Sequence, residues 1–159
     1  MTDTRILIVI GDPHLEQDDH RRVVRPRFTA IIRHAIDTWA ITKVFHPEEA
    51  GPNRWLNEFC SASLDTSKHR EMMFPKGRFE FGHVRNTRML CTLRSEMELG
   101  ARCIALYFKG PFLGSSSADD LARKCLDAGI KVIEFCWHPD NELTVINHED
   151  APQERRETA

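Results

Sequence analysis

Arg5-Ile6-Leu7-Ile8-Val9-Ile10-Gly11 is an unbroken aliphatic run closed by glycine. A strand with one face in water alternates apolar with polar residues, so a run without a polar break reads as a central parallel strand covered on both faces. Arg102 to Lys109 holds a second such run, Cys103-Ile104-Ala105-Leu106-Tyr107-Phe108, and Ile130 to Trp137 supplies a third. Ile41 to His46 and the short Met72-Met73-Phe74-Pro75 are further strand candidates, with Leu143 to Ile146 as an edge.

Helical patterns separate these strands. Gly11-Asp12-Pro13-His14 signals a turn, and the acidic, His-containing run to His20 reads as a loop over the end of the first strand. Pro26 marks the predicted start of a helix with Phe28, Ile31, Ile32, Ala35, Ile36 and Trp39 on one face and Arg27, Arg33, His34 and Asp37 on the other. Pro52 in a first turn predicts a helix to about Ser63, with Trp55, Leu56, Phe59 and Cys60 inward. Gly82 opens another, in which Asn86, Leu90, Leu93 and Met97 share a face. Asp119 or a preceding serine caps a last helix that reaches Ala128 and ends at Gly129. Strands alternating with helices imply right-handed crossovers, and hence an α/β, Rossmann-like three-layer sandwich around a mostly parallel sheet.

With 159 residues, 41% of them hydrophobic, the chain suits a single domain over residues 1–147. Residues 148–159 are charged and poor in apolar side chains, and read as a disordered tail. A formal net charge of -2, from 22 Lys plus Arg against 24 Asp plus Glu, lacks the basic bias of a general nucleic-acid binder. The apolar run Ile6 to Ile10 is too brief for a signal peptide or a membrane span, so the chain reads as cytoplasmic with no membrane partner. Five scattered cysteines without a CxxC pair argue against a zinc site and against a disulfide framework, and most read as small core residues. No metal or cofactor is assigned.

In open α/β sheets ligands bind beyond the C-terminal strand ends, where the strand order reverses. Four segments qualify by position: Gly11-Asp12, His46 to Asn53, Gly82 to Asn86, and Gly114 to Asp120. Arg85 lies in a first helical turn, where orphan N–H groups and the helix dipole already favour an anion, and Asn86 stands at the ligand end of a buried stripe. Ser115, Ser116 and Ser117 offer hydroxyl and N–H donors at another helix start, and Asp120 or Asp119 an acceptor for a ribose hydroxyl. The same residues also read as ordinary polar helix starts with no ligand.

These segments, in this order, resemble the SLOG superfamily of Rossmann-like nucleotide-binding proteins, in particular its small bacterial and phage domains related to YspA and YpsA. Gly11-Asp12 is similar to the Gly-Asp or Gly-Gly-Arg that ends their first strand. His46-Pro47-Glu48-Glu49-Ala50-Gly51-Pro52-Asn53 stands where they carry His-Gly-Gly-Ala-x-Gly-Ala-Asp. Gly82-His83-Val84-Arg85-Asn86-Thr87-Arg88-Met89-Leu90 resembles Ala-Gly-Pro-x-Arg-Asn-x-x-Met-Leu. Gly114 to Asp120 resembles Gly-Gly-x-Gly-Thr-Ala-Asp, with the ending Ala128-Gly129-Ile130-Lys131-Val132-Ile133-Glu134 also similar. The likeness spans about Ile6 to Phe135. It implies a nucleotide or nucleotide-derived ligand touching Gly11, Asp12, His46, Arg85, Asn86, Gly114, Ser115, Ser116, Ser117 and Asp120.

The chain departs from that pattern where Pro47, Glu48 and Glu49 replace a glycine pair and serines replace later glycines, which restricts the positive-φ geometry of phosphate-cradling amides. Some SLOG relatives cleave N-glycosidic bonds, and a glutamate beside the anomeric carbon is the residue type such cleavage needs, which makes Glu48 and Glu49 catalytic candidates. A sensor or sequestering protein, in one form a homo-oligomer, would use the same pocket without chemistry. A third reading takes Asp12-Pro13-His14 as the Asp-x-His of a divalent-metal phosphoesterase, with His20, His46 and His83 near the same edge. Trp137, near a strand end, is the one tryptophan placed to stack on a base.

Overall fold

The structure, a computed structural model, describes residues 3–16, 18–111 and 115–148, the first three of the middle stretch by backbone alone. Among the described residues, six strands form one sheet: β1 (Arg5–Gly11), β2 (Lys43–Pro47), β3 (Arg70–Phe74), β4 (Arg102–Lys109), β5 (Lys131–Trp137) and β6 (Leu143–Asn147). Their spatial order is β3-β2-β1-β4-β5-β6, with β1 to β5 parallel and β6 antiparallel to β5. Four helices cover the sheet: α1 (Asp18–Thr38), α2 (Pro52–Ser63), α3 (Gly82–Glu98) and α4 (Ser116–Asp127). This is the Rossmann-like α/β sandwich expected from the alternation of strands and helices.

The pleat of β1 explains its missing polar break. Ile6, Ile8 and Ile10 point to one face, where they meet Met89, Leu90 and Leu93 of α3 and Leu121 and Cys125 of α4. Leu7 and Val9 point to the other, against Phe28 and Ile32 of α1 and Trp55 and Leu56 of α2. All five aliphatic side chains are fully buried, and each contributes roughly 1.5–3 kcal/mol of transfer free energy. Any polar residue in this run would face a helix on one side or the other.

The first helix begins eight residues earlier than its apolar pattern predicts, and Pro26 lies inside it. Residues 12–20 are thus not a plain loop: a 3-10 turn covers Pro13–Glu16 before α1 starts at Asp18. Val24, one turn before Phe28, is fully buried and carries the apolar stripe upstream of the proline. Pro26 itself is exposed, so its ring faces solvent while the stripe holds the helix together. Trp137 is also corrected: it is fully buried and stacks on Phe108 with ring centroids 6.1 Å apart, out of reach of any base. The cysteines are all free, with Cys60 and Cys125 in the core and Cys91 exposed. Among the described residues no helix is long and apolar enough to cross a membrane. Gly114 and residues 149–159 lie outside the described residues.

Candidate functional site

The strand order reverses between β1 and β4, because the chain leaves β1 toward β2 and β3 and returns through α3 to β4 on the other side. α1 and α2 therefore lie on one face and α3 and α4 on the other, and the reversal falls at the strand ends Gly11 and Lys109. Asp12 bridges the two central strands there, its N–H donating to the Phe108 carbonyl at 2.9 Å. Gly11 is needed for close approach: a Cβ there would lie 2.6 Å from Pro52 Cβ and 3.0 Å from Asn53 Oδ1. Asn53 accepts from the Gly11 N–H at 3.1 Å and donates to the Val9 carbonyl at 2.9 Å, clamping the start of α2 onto the end of β1.

α3 and α4 bring their N-terminal turns together over this edge. Phe81 at the α3 N-cap provides no side-chain cap, whereas the Ser115 hydroxyl caps α4 by accepting from the Ala118 N–H at 3.4 Å. Gly82 lets the two turns meet, since a Cβ there would lie 2.6 Å from Ser117 Oγ. Under that contact Arg85 and Asn86 are almost wholly buried. Arg85 donates through Nη2 to Glu49 Oε1 at 2.6 Å and to Ser117 Oγ at 2.9 Å, and through Nε to Asn86 Oδ1 at 3.3 Å. Ser117 Oγ in turn donates to Glu49 Oε1 at 3.2 Å. Asn86 Nδ2 donates to the Ser117 carbonyl at 2.8 Å and to Asp120 Oδ2 at 3.1 Å. Burial would raise the Asp120 carboxyl, but bonds from Lys124 and Asn86 outweigh it and hold the pKa below the ordinary range.

Two clefts open beside this cluster. One, of about 490 Å³, is lined by Phe81, Gly82, His83, Ser116, Ser117, Asp119, Asp120 and Arg123. Phe81 is 70% exposed and stacks on His83 with ring planes 11° apart. The other, of about 520 Å³, takes in Glu48, Glu49, Arg54, Asn57 and Lys76. The Ser117–Glu49 contact joins residues from the walls of both.

No family model, curated protein or solved structure matches the chain. Of the residues singled out in the sequence, Glu49, Arg85, Asn86, Ser117 and Asp120 form one hydrogen-bonded cluster. Glu48 is exposed on the wall of the second cleft, and Ser116 lies on the wall of the first. Gly11 packs against α2 rather than opening to either cleft.

His46 is fully buried, with Nε2 facing Glu71 Oε2 at 2.7 Å and Nδ1 3.0 Å from the Pro47 carbonyl. Burial would raise the Glu71 carboxyl, yet hydrogen bonds from His46 and Asn57 bring its pKa below the ordinary value of 4.5. Asp12 is likewise fully buried: Oδ1 accepts from the His14 N–H at 3.0 Å and pairs with His14 Nδ1 at 2.8 Å, while Oδ2 has no partner among the described residues. Among the described residues no three His, Cys, Asp or Glu side chains converge to hold a metal ion. Tyr107 donates to Asp119 Oδ1, and burial together with that carboxylate pushes its hydroxyl far above its ordinary pKa.

Phe81 and Arg123 were not among the residues singled out, and His83 was named only as a neighbour of a metal site. Phe81 had a signal, an aromatic side chain set directly before a helix-opening glycine. Arg123 had none, because one basic residue on a helix is ordinary surface.

Proposed function

We propose that the chain binds a nucleotide or nucleotide-derived small molecule at the C-terminal edge of its sheet, in the 490 Å³ cleft where α3 and α4 begin. The observation that carries this reading is the junction of two helix N-termini at Gly82 and Ser117, with the buried Arg85 and Asn86 beneath it. Both helix dipoles direct partial positive charge toward one cleft, where Arg123 adds a cation and His83 a ring N–H donor for a phosphate. Phe81 presents an exposed ring for a base, and Asp119 and Asp120 present acceptors for ribose hydroxyls. The resemblance of these segments to the SLOG superfamily supports the same ligand class.

Glycosidic cleavage is the second reading. Glu49 is held by Arg85 and Ser117, so the carboxylate free to approach an anomeric carbon is Glu48, exposed on the neighbouring cleft. Binding without chemistry, as in a sensor or sequestering protein, needs only the first cleft. Incubation with a nucleotide panel followed by mass analysis separates these outcomes. Intact nucleotide recovered from the protein and lost in Phe81→Ala and Asn86→Ala is the expected result. Release of free base, abolished in Glu48→Gln, would make it a hydrolase. A panel in which nothing is retained or cleaved refutes the ligand class.

A further inference from the structure

The sheet ends in two edge strands, β3 and β6. Sheets commonly blunt their edges with charged residues and proline, because outward N–H and C=O groups recruit another strand. β3 follows that rule, with Arg70 and Glu71 at its start and Pro75 directly after it. β6 does not: Leu143-Thr144-Val145-Ile146-Asn147 holds neither a charge nor a proline, and its Thr, Val and Ile favour strands. Val145 is 56% exposed and Ile146 40%. The hydrogen-bond phase decides which backbone groups look outward. The His138 N–H donates to the Glu142 carbonyl at 2.8 Å, and the His148 N–H to the Val132 carbonyl at 2.9 Å. Bonded residues alternate along an antiparallel pair, so Glu142, Thr144, Ile146 and His148 turn their backbone groups to β5, and Leu143, Val145 and Asn147 turn theirs away. That outward set is symmetric about Val145.

We infer that β6 is a dimerisation edge, which takes β6 of a second copy of this chain in antiparallel register about a two-fold axis at Val145. In that register each Val145 exchanges its N–H and C=O bonds with Val145 of the other copy, and Leu143 lies opposite Asn147. Glu142 falls opposite His148, a carboxylate against a ring N–H donor at both ends of the pairing, and Thr144 opposite Ile146. The exposed Val145 side chains meet across the axis, so the strand supplies its own apolar, polar and backbone complement. The two-fold also reverses the sheet: β1 to β5 of the two copies run in opposite directions, and their C-terminal edges open on opposite sides of the joined sheet. Each ligand cleft is therefore complete within one chain, and the inference is independent of the nucleotide reading.

Sedimentation velocity from about 1 to about 100 μM tests this on wild type, Val145→Pro and Val145→Lys. Wild type is expected to sediment as a dimer at the upper end of that range. Val145→Pro deletes an N–H that β5 does not use, so the ladder within each chain stays whole while the dimer loses two bonds, and its dissociation constant should rise by about thirtyfold or more. Val145→Lys sets two ammonium groups against each other across the axis and should also yield monomer, which keeps the test open if the proline variant does not fold. Hydrogen exchange at the Val145 amide of wild type should slow as protein concentration rises. A wild type that stays monomeric throughout this range, or a dimer that survives both substitutions unchanged, overturns the inference.

Discussion

Replacing Arg85 by methionine isolates the interaction at the centre of the site. The substitution keeps most of the side-chain volume in a position that is 1% exposed and deletes the donors to Glu49, Ser117 and Asn86. Removing one partner of a buried ion pair typically costs about 3–5 kcal/mol, because the other charge remains without compensation. Glu49 is 18% exposed, so water recovers part of that loss, and about 3 kcal/mol is expected. For a chain of this size that corresponds to a fall of about 6–12 °C in Tm.

The double variant Arg85→Met/Glu49→Met removes both charges and should lose less stability than the sum of the single effects, with a coupling of about 2 kcal/mol. Urea unfolding followed by tryptophan fluorescence reads each value from the midpoint at constant m. Single variants that add within about 0.5 kcal/mol, or an Arg85→Met protein as stable as wild type, would refute the ion pair as the element that joins β2 to the helix starts.

Gly82→Ala should destabilise by about 1–3 kcal/mol despite the better helix propensity of alanine, since its Cβ would meet Ser117 Oγ at 2.6 Å and Ser117 Cβ at 3.0 Å. The same denaturation midpoints check it, and a gain in stability would show that the two helix starts are not in close contact. Glu71→Gln should flatten the acid limb of stability. Because the folded carboxyl titrates below its ordinary 4.5, its contribution is complete above that value and is lost as pH falls through the folded pKa. The difference between wild type and Glu71→Gln should therefore shrink from about pH 6 to about pH 3, and a difference that does not vary with pH would contradict the His46 and Asn57 bonding.

Much of the fold was legible because its signals are local. The β1 run, the proline opening α2, and the glycine and serines opening α3 and α4 each act within a turn or a pleat, and the elements lie where those signals put them. The start of α1 was hidden for the opposite reason. Nothing in residues 18–23 has helical apolar spacing, and only the tertiary burial of Val24 against the sheet shows that the helix runs through Pro26. Trp137 sits at the end of β5, as its position suggests, but which face covers it depends on Phe108 of the neighbouring strand.

The site divides along the same line. That Arg85, Asn86, Ser117 and Glu49 belong to one edge follows from strand ends and helix starts alone. What each side chain does there does not, because apart from the Arg85–Asn86 contact their bonds join residues 31 to 68 positions apart. An acidic pair after a strand reads as solvated surface or as catalytic carboxylates until the crossover of α3 brings a buried arginine to one member of the pair. Glu48 and Glu49 are adjacent in sequence, yet one is exposed on a cleft wall and the other neutralises the core of the site. A substitution that treats them as equivalent will confuse two effects: Glu48→Gln alters only the chemistry available to the second cleft, whereas Glu49→Gln alters the charge state of the site itself.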